Sequence, residues 1–230
     1  MKRENNIYAL LDRSDRDFIA LNEAYRASLS AQAISDELQI DIKNLCGNLR
    51  SALDYLAADI REKCCPTANP KKHFYFPVLP TASDFSARAS DWFPGLATSQ
   101  PTIWALLESI QPYQPGQEWL GQFNRLNNEN KHKDLVPQTR VETPRVVVTM
   151  PALGSMSWDP RAVTLTSAVS IDGVPIDPKT QLPQPHPSQT VQRIIWVDFR
   201  FTIPDTSAQQ LLQAAVQGVR RIIEQFAPLL

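Results

Sequence analysis

Nineteen prolines punctuate the chain, and none of them precedes Pro66. A proline inside a helix removes a backbone donor and clashes with the preceding turn, at a cost of about 3 kcal/mol. Long helices are therefore confined to the first quarter and to the few later windows between prolines. Glycine, at 7 residues, is too scarce to supply the turns, so Pro, Asn, Asp and Ser must build them.

Within the first quarter, Phe18, Leu21, Tyr25 and Leu29 recur at helical spacing after Ser14 or Asp15, two acceptable N-caps, and predict a first helix. A second begins after Ser35 or Asp36. Its apolar positions Leu38, Ile42, Leu45, Leu49, Leu53, Leu56 and Ile60 step by three or four until Cys64, Cys65 and the breaker Pro66. Two long amphipathic helices in succession predict an αα-hairpin. The aromatic run His73-Phe74-Tyr75-Phe76-Pro77 reads as an extended plug for this bundle. Shorter helices are expected around Ser83–Ser90 and Thr102–Ile110, and another from Gly116 or Gln117 to Lys133, where Pro137 forbids a long continuation.

Beyond Pro137 the hydrophobic period falls to two. Val141–Met150, Ala162–Ile171 and Val191–Ile203 read as antiparallel strands, with Asp172-Gly173 and five prolines up to Pro187 forming a long exposed loop at 175–188. A last helix after Asp205 or Thr206 carries an apolar face from Leu211 to Phe226 for the sheet or the first hairpin. The expected class is α+β: a helical bundle over 1–135 with a long αα-hairpin, then a small antiparallel sheet of three or four strands and a C-terminal helix over 136–230, packed as one unit with the bundle.

A formal net charge of −1 gives no long-range positive field, so contact with nucleic acid must come from a local patch. Three cysteines, Cys46, Cys64 and Cys65, fit a reducing compartment, and no membrane-length or signal-like apolar run is visible, which points to the cytoplasm. Adjacent Cys64-Cys65 with His73 makes a poor tetrahedral metal set and reads as structural; no cofactor is implied. No Gly-rich phosphate loop, G-x-S-x-G elbow or H-E-x-x-H occurs.

Chemistry concentrates in the window from Trp119 to Asp134. An amphipathic helix through Trp119, Phe123 and Leu126 offers Asn127, Asn130 and Lys131 where apolar residues are due. Arg125, Asn128 and His132 lie at i, i+3 and i+7 and share one face, an arrangement that can hold a phosphate with Arg while His moves a proton. The competing reading is a helix C-terminus, with Lys131, His132 and Lys133 favoured by the dipole. On the second helix a row of small or polar residues, Asn44, Gly47, Ser51, Asp54 and Ala58, admits close approach of another helix; Asp54 then needs a partner from Arg50, Lys131 or His132.

The strings Asn48-Leu49-Arg50-Ser51-Ala52-Leu53-Asp54, Phe76-Pro77-Val78, Ile110-Gln111-Pro112-Tyr113 and Asn127-Asn128-Glu129-Asn130-Lys131-His132 resemble a widespread family of uncharacterised bacterial and phage proteins, with an LRSALD helix ahead of an N-x-x-x-K-H motif. That set is distantly similar to HEPN domains, helical bundles that often act as metal-independent ribonucleases through an R-x(4–6)-H motif at a dimer interface. The resemblance implies RNA as partner, a homodimer, Arg125, His132 and Asn128 as catalytic residues, and Asp54, Arg50, Lys131 and Asn127 in support. The alternative is a non-catalytic interaction or structural module, in which the polar cluster fixes the helices.

Overall fold

The computed structural model describes residues 1–31, 35–132, 135–136, 138–150, 154–166, 169–202 and 204–230. In chain order the elements are α1 (Glu4–Ala31), α2 (Asp36–Cys64), α3 (Ala82–Trp92), α4 (Leu96–Ser99), α5 (Pro101–Ser109), α6 (Glu118–His132), β1 (Gln138–Met150), β2 (Gly154–Trp158), β3 (Ser170–Ile171), β4 (Val174–Asp177), β5 (Leu182–Pro183), β6 (Thr190–Phe201), β7 (Thr206–Ser207), α7 (Ala208–Phe226) and a closing 3-10 turn (Ala227–Leu229). The fold is α+β, as the sequence leads one to expect. The chain forms two compact units, one of residues 1–139 with 199–230 and one of residues 140–198.

The helical unit is organised by α1 and α2, which lie against each other. Their antiparallel sense follows from ion pairs joining the start of α1 to the end of α2: Arg3 to Asp59 at 2.6 Å and Lys2 to Glu62 at 2.9 Å, with Arg3 reaching Glu62 as well. Beside these cations the Glu62 carboxyl is held down at about 2. α1 begins ten residues earlier than the sequence reading places it. Ile7 and Leu11 extend the buried stripe of Leu21 and Tyr25 by two turns, and Ser14 is no cap: it is fully buried on that stripe, its hydroxyl donating to the Leu10 carbonyl at 2.8 Å. Ser35 does cap α2, accepting from the Leu38 N–H at 3.2 Å, and every apolar residue of the expected α2 stripe is buried. In the 73–77 segment Phe76 is the plug, 1% exposed, whereas Tyr75 stands 52% exposed.

α7 caps this unit by packing on α1, α2 and α6, so its apolar face meets the hairpin; the division by sequence had placed this helix with the strands. Ser207 caps it at its N-terminus. Gly218 marks its closest approach to α6. A Cβ built there would lie 2.3 Å from the Trp119 ring, well inside contact distance. Gly218→Ala is expected to cost about 1–3 kcal/mol through overpacking, although alanine is the better helix former by about 1 kcal/mol. Trp119→Leu in the same chain should recover part of the loss; a Gly218→Ala protein that melts as late as the parent would contradict this packing.

In the second unit β1 and β2 form an antiparallel hairpin in which Val146 faces Trp158 and Met150 faces Gly154, with β6 on the other side of β1. Val146, Val148 and Met150 alternate into a small core with Trp158, Ile171 and Ile176. The last residues of β6, back in the helical unit, pair with β7. One expectation is corrected here. Of the strand expected over Ala162–Ile171 only β3 is formed among the described residues, and β2 lies beside β1; the Gln181 carboxamide bonds both the N–H and the carbonyl of Leu165, at 2.6 and 3.0 Å, in place of a strand partner. The segment 175–188 is mostly exposed, as expected, but the strands β4 and β5 run through it and pair in a small meander with β3, burying Val174, Ile176 and Pro183. Asp172 and Gly173, both at positive φ, supply its first two-residue hairpin turn. Among the described residues no helix is long and apolar enough to cross a membrane.

Candidate functional site

α6 has two sides. Leu120, Phe123 and Leu126 are fully buried in the helical core, while Asn124, Asn127, Asn128 and Lys131, at i, i+3, i+4 and i+7, form a polar face. That face walls a cavity of about 390 Å³ whose other sides are Arg50 and Asp54 of α2, the Tyr75, Phe76 and Val78 segment, and Trp92 of α3. A second hollow of about 640 Å³ continues along α1 and α2, lined by Arg13, Asp17, Lys43, Asn44 and Asn48, and shares Arg50, Asp54, Asn127 and Lys131 with the first.

Asn44, Gly47, Ser51 and Asp54 of the small-residue row therefore line this groove, and among the described residues a Cβ added at Gly47 would meet nothing within 4 Å. Asp54 finds its partner in Arg50, one turn back on α2, at 3.1 Å. The same Asp54 oxygen accepts the Phe76 N–H at 2.9 Å, and Arg50 donates to the Phe76 carbonyl and to the Asn124 side chain, each at 3.0 Å. Gln111, fully buried, grips the next part of that segment by accepting from the Leu79 N–H and donating to the Pro77 carbonyl. Backbone that belongs to no helix or strand is thus held by side chains on both sides, which fixes the cavity wall.

The supporting residues Arg50, Asp54, Asn127 and Lys131 all meet at the cavity, together with Asn128. Arg125 does not. It lies about a quarter-turn round α6 from Asn124, exposed and without a partner among the described residues. The side chain of His132 is outside the described residues. Of the expected trio, Asn128 borders the cavity and Arg125 stands on the adjoining exposed sector of the same helix. Asn130 faces a third way and accepts the Val136 N–H at 2.8 Å, tying down the chain beyond the helix.

Electrostatically the groove is uneven. Arg13 pairs with Asp17 and Arg50 with Asp54, whereas Lys43 and Lys131 have no partner among the described residues. This is the local positive patch that the net charge leaves room for. Asn127 is only 6% exposed and borders both halves of the groove.

Sequence reasoning missed Asn124, Tyr75 and Trp92 as wall residues. Asn124 was legible, sitting at i−3, i−4 and i−7 from Asn127, Asn128 and Lys131; the aromatic pair was not, since only the fold brings Tyr75 edge-on to Trp92, with ring centroids 6.4 Å apart. Cys46, Cys64 and Cys65 are free and buried, and burial pushes the Cys46 thiol up to about 12 and the Cys65 thiol to about 11, so these are poor nucleophiles. His73 is exposed while the cysteines are buried, and among the described residues no group of three or more His, Cys, Asp or Glu is placed to hold a metal ion.

No family model, no curated protein and no solved structure matches the chain. The functional reading rests on the groove. Its walls come from Arg50 and Asp54, the 75–78 segment, Trp92 and the Asn124–Lys131 face, which lie far apart in sequence and converge here, with Gln111 holding the 77–79 backbone from behind.

Proposed function

We propose that the helical unit is a HEPN-like, metal-independent endoribonuclease of the cytoplasm whose RNA strand lies along the polar side of α6. The observation that supports this best is the Lys131 ammonium at the cavity, with Arg125 on the adjoining exposed sector of α6: neither has an anionic partner among the described residues, while Arg13 and Arg50 are paired. Such cations are available for phosphate.

In this reading His132 takes the proton of a ribose 2′-hydroxyl, and the oxygen attacks the adjacent phosphorus. The bond to the 5′-oxygen breaks, and that oxygen leaves with a proton given up by the protonated His132, giving a 2′,3′-cyclic phosphate and a 5′-hydroxyl end. Arg125 and Lys131 balance the charge that builds on the non-bridging oxygens, and Asn128 orients the phosphate. A second copy of the chain, meeting this one across a twofold axis at the exposed face of α6, completes the site.

The test is cleavage of an end-labelled single-stranded RNA in the presence of a chelator. His132→Ala is expected to lower the rate by about 10²–10⁴-fold and Arg125→Ala by about 10²-fold or more, with melting temperatures unchanged. Equal cleavage by His132→Ala and the parent would end the proposal. A second reading, a non-catalytic module, is favoured by the bonding of Arg50, Asp54, Asn124 and Gln111 into the walls; RNA left intact by the parent protein would leave that reading standing.

A further inference from the structure

We infer that the hollow on the core of the 140–198 unit binds a neutral, largely hydrocarbon small molecule that offers one acceptor oxygen, such as a ketone, ester or amide carbonyl. This site belongs to the other unit of the chain and stands apart from the ribonuclease reading.

The hollow has a volume of about 370 Å³, within the usual range for small-ligand sites, about 300–1,000 Å³. Its floor is the core itself. Met150, Trp158 and Ile171 are three of the six described residues buried in the core of this unit, and the partly buried Leu165 packs against them. At the mouth Met156 and Val163 stand 54% and 41% exposed. Apolar side chains therefore lead from the core out to the surface, and the core is open to solvent here. A unit this small buries a modest share of its surface, and an apolar ligand seated in the hollow completes its core. The two thioethers are unbranched and polarisable, which suits a wall that adjusts to the shape of a ligand.

Trp158 sets the polar requirement. It is 8% exposed, and its indole N–H finds no acceptor among the described residues. A tryptophan buried to this degree normally donates to a partner. Across the hairpin it faces Val146, which has no side-chain acceptor. Because Trp158 is also a wall of the hollow, a ligand lying there can bring the acceptor that the protein does not supply.

Charge sets the last requirement. Asp172, in the turn between β3 and β4, is the one charged residue of the described wall. Its carboxylate repels an anionic head group, and the described wall holds no cation to repay a carboxylate or phosphate for its lost hydration. An ammonium can sit beside Asp172 but brings no acceptor to the indole. A neutral carbonyl on a hydrocarbon frame meets all of these conditions.

Isothermal titration of the full chain would use naphthalene probes of similar shape: the methyl ketone 2-acetylnaphthalene, its hydrocarbon isostere 2-isopropenylnaphthalene, 2-naphthoate and 2-naphthylmethylamine. The ketone is expected to bind saturably and at least about tenfold tighter than each of the others, the difference that one completed hydrogen bond to a buried donor supplies. Trp158→Phe keeps an aromatic wall without the N–H, so it should bring the ketone to the level of the hydrocarbon and leave the hydrocarbon unchanged. Met156→Glu, at the exposed mouth where folding is not at stake, should weaken the ketone by about tenfold or more. Lys131→Met, in the helical unit, should change nothing. Absence of saturable ketone binding, the hydrocarbon or either charged probe binding as tightly as the ketone, or an unchanged ketone affinity in Met156→Glu would each overturn the inference. Should Trp158→Phe fail to fold, the ratio of ketone to hydrocarbon affinity in the parent chain and the Met156→Glu result decide it.

Discussion

Arg61→Leu is expected to lower the melting temperature of the helical unit by roughly 6–12 °C, for a loss of about 3 kcal/mol. Arg61 sits in the last turn of α2 and is only 5% exposed. Its guanidinium donates to the Trp92 carbonyl and, at 2.6 Å, to the Asn69 carbonyl, and lies 4.4 Å from the centre of the Phe74 ring. One side chain thereby ties the end of the hairpin to the 66–80 segment and to the end of α3. Hydrogen bonds from a charged donor contribute about 1.5–3 kcal/mol each, and leucine strands both carbonyls. Arg61→Lys keeps the charge but cannot span two carbonyls with a planar fork, so it should fall between the two. A thermal melt checks this, and a drop below about 3 °C for Arg61→Leu would show that these contacts contribute little. Trp92 also lines the cavity, so the same substitution should loosen its aromatic wall.

Arg50→Ala and Lys131→Met should behave oppositely, although the two residues line the same cavity. Arg50 is mostly buried and bonds Asp54, Asn124 and the Phe76 carbonyl. Its removal leaves a half-buried carboxylate without its cation and a carbonyl without a donor, and should cost about 2–4 kcal/mol. Lys131 is exposed and makes no bond within the described protein, so its loss should fall within about 0.5 kcal/mol of the parent. Denaturant melts of the two variants make the comparison. A Lys131→Met protein as unstable as Arg50→Ala would mean that the whole cluster is architecture, and the free ammonium would then no longer argue for a ligand.

Much of the helical unit was legible because its determinants are local. The stripe from Leu38 to Ile60 and the Ser35 cap specify α2 without reference to anything else in the chain. α1 was read short because Ser14 has the chemistry of a cap and lies on the buried face; only packing shows that its hydroxyl turns back to the Leu10 carbonyl. The strands were less legible. Val163 and Leu165 alternate as a strand would, but whether a partner lies beside them depends on residue 181, and Gln181 takes the backbone bonds of Leu165 that a ladder would use.

The candidate site divides along the same line. Spacing alone marked Asn127, Asn130 and Lys131 as the places where α6 gives up its apolar pattern, and put Arg50 one turn from Asp54. Spacing also grouped Arg125 with Asn128, correctly as a matter of helix geometry, but it could not say which sector of α6 borders the cavity. That depends on where α2 and the 75–78 segment pack, and they select the sector centred on Asn124, Asn127 and Lys131. Hydrophobic period, caps and proline breaks act over a few residues and are written in order along the chain, so the sequence by itself determined the helices, the change to strands after Pro137 and the residues that share each face. Contacts between residues dozens of positions apart carry no such local signature. Only the tertiary structure decided that Asp54 pairs with Arg50, that the Gly47 row opens onto a groove, and that Tyr75 and Trp92 close its far side.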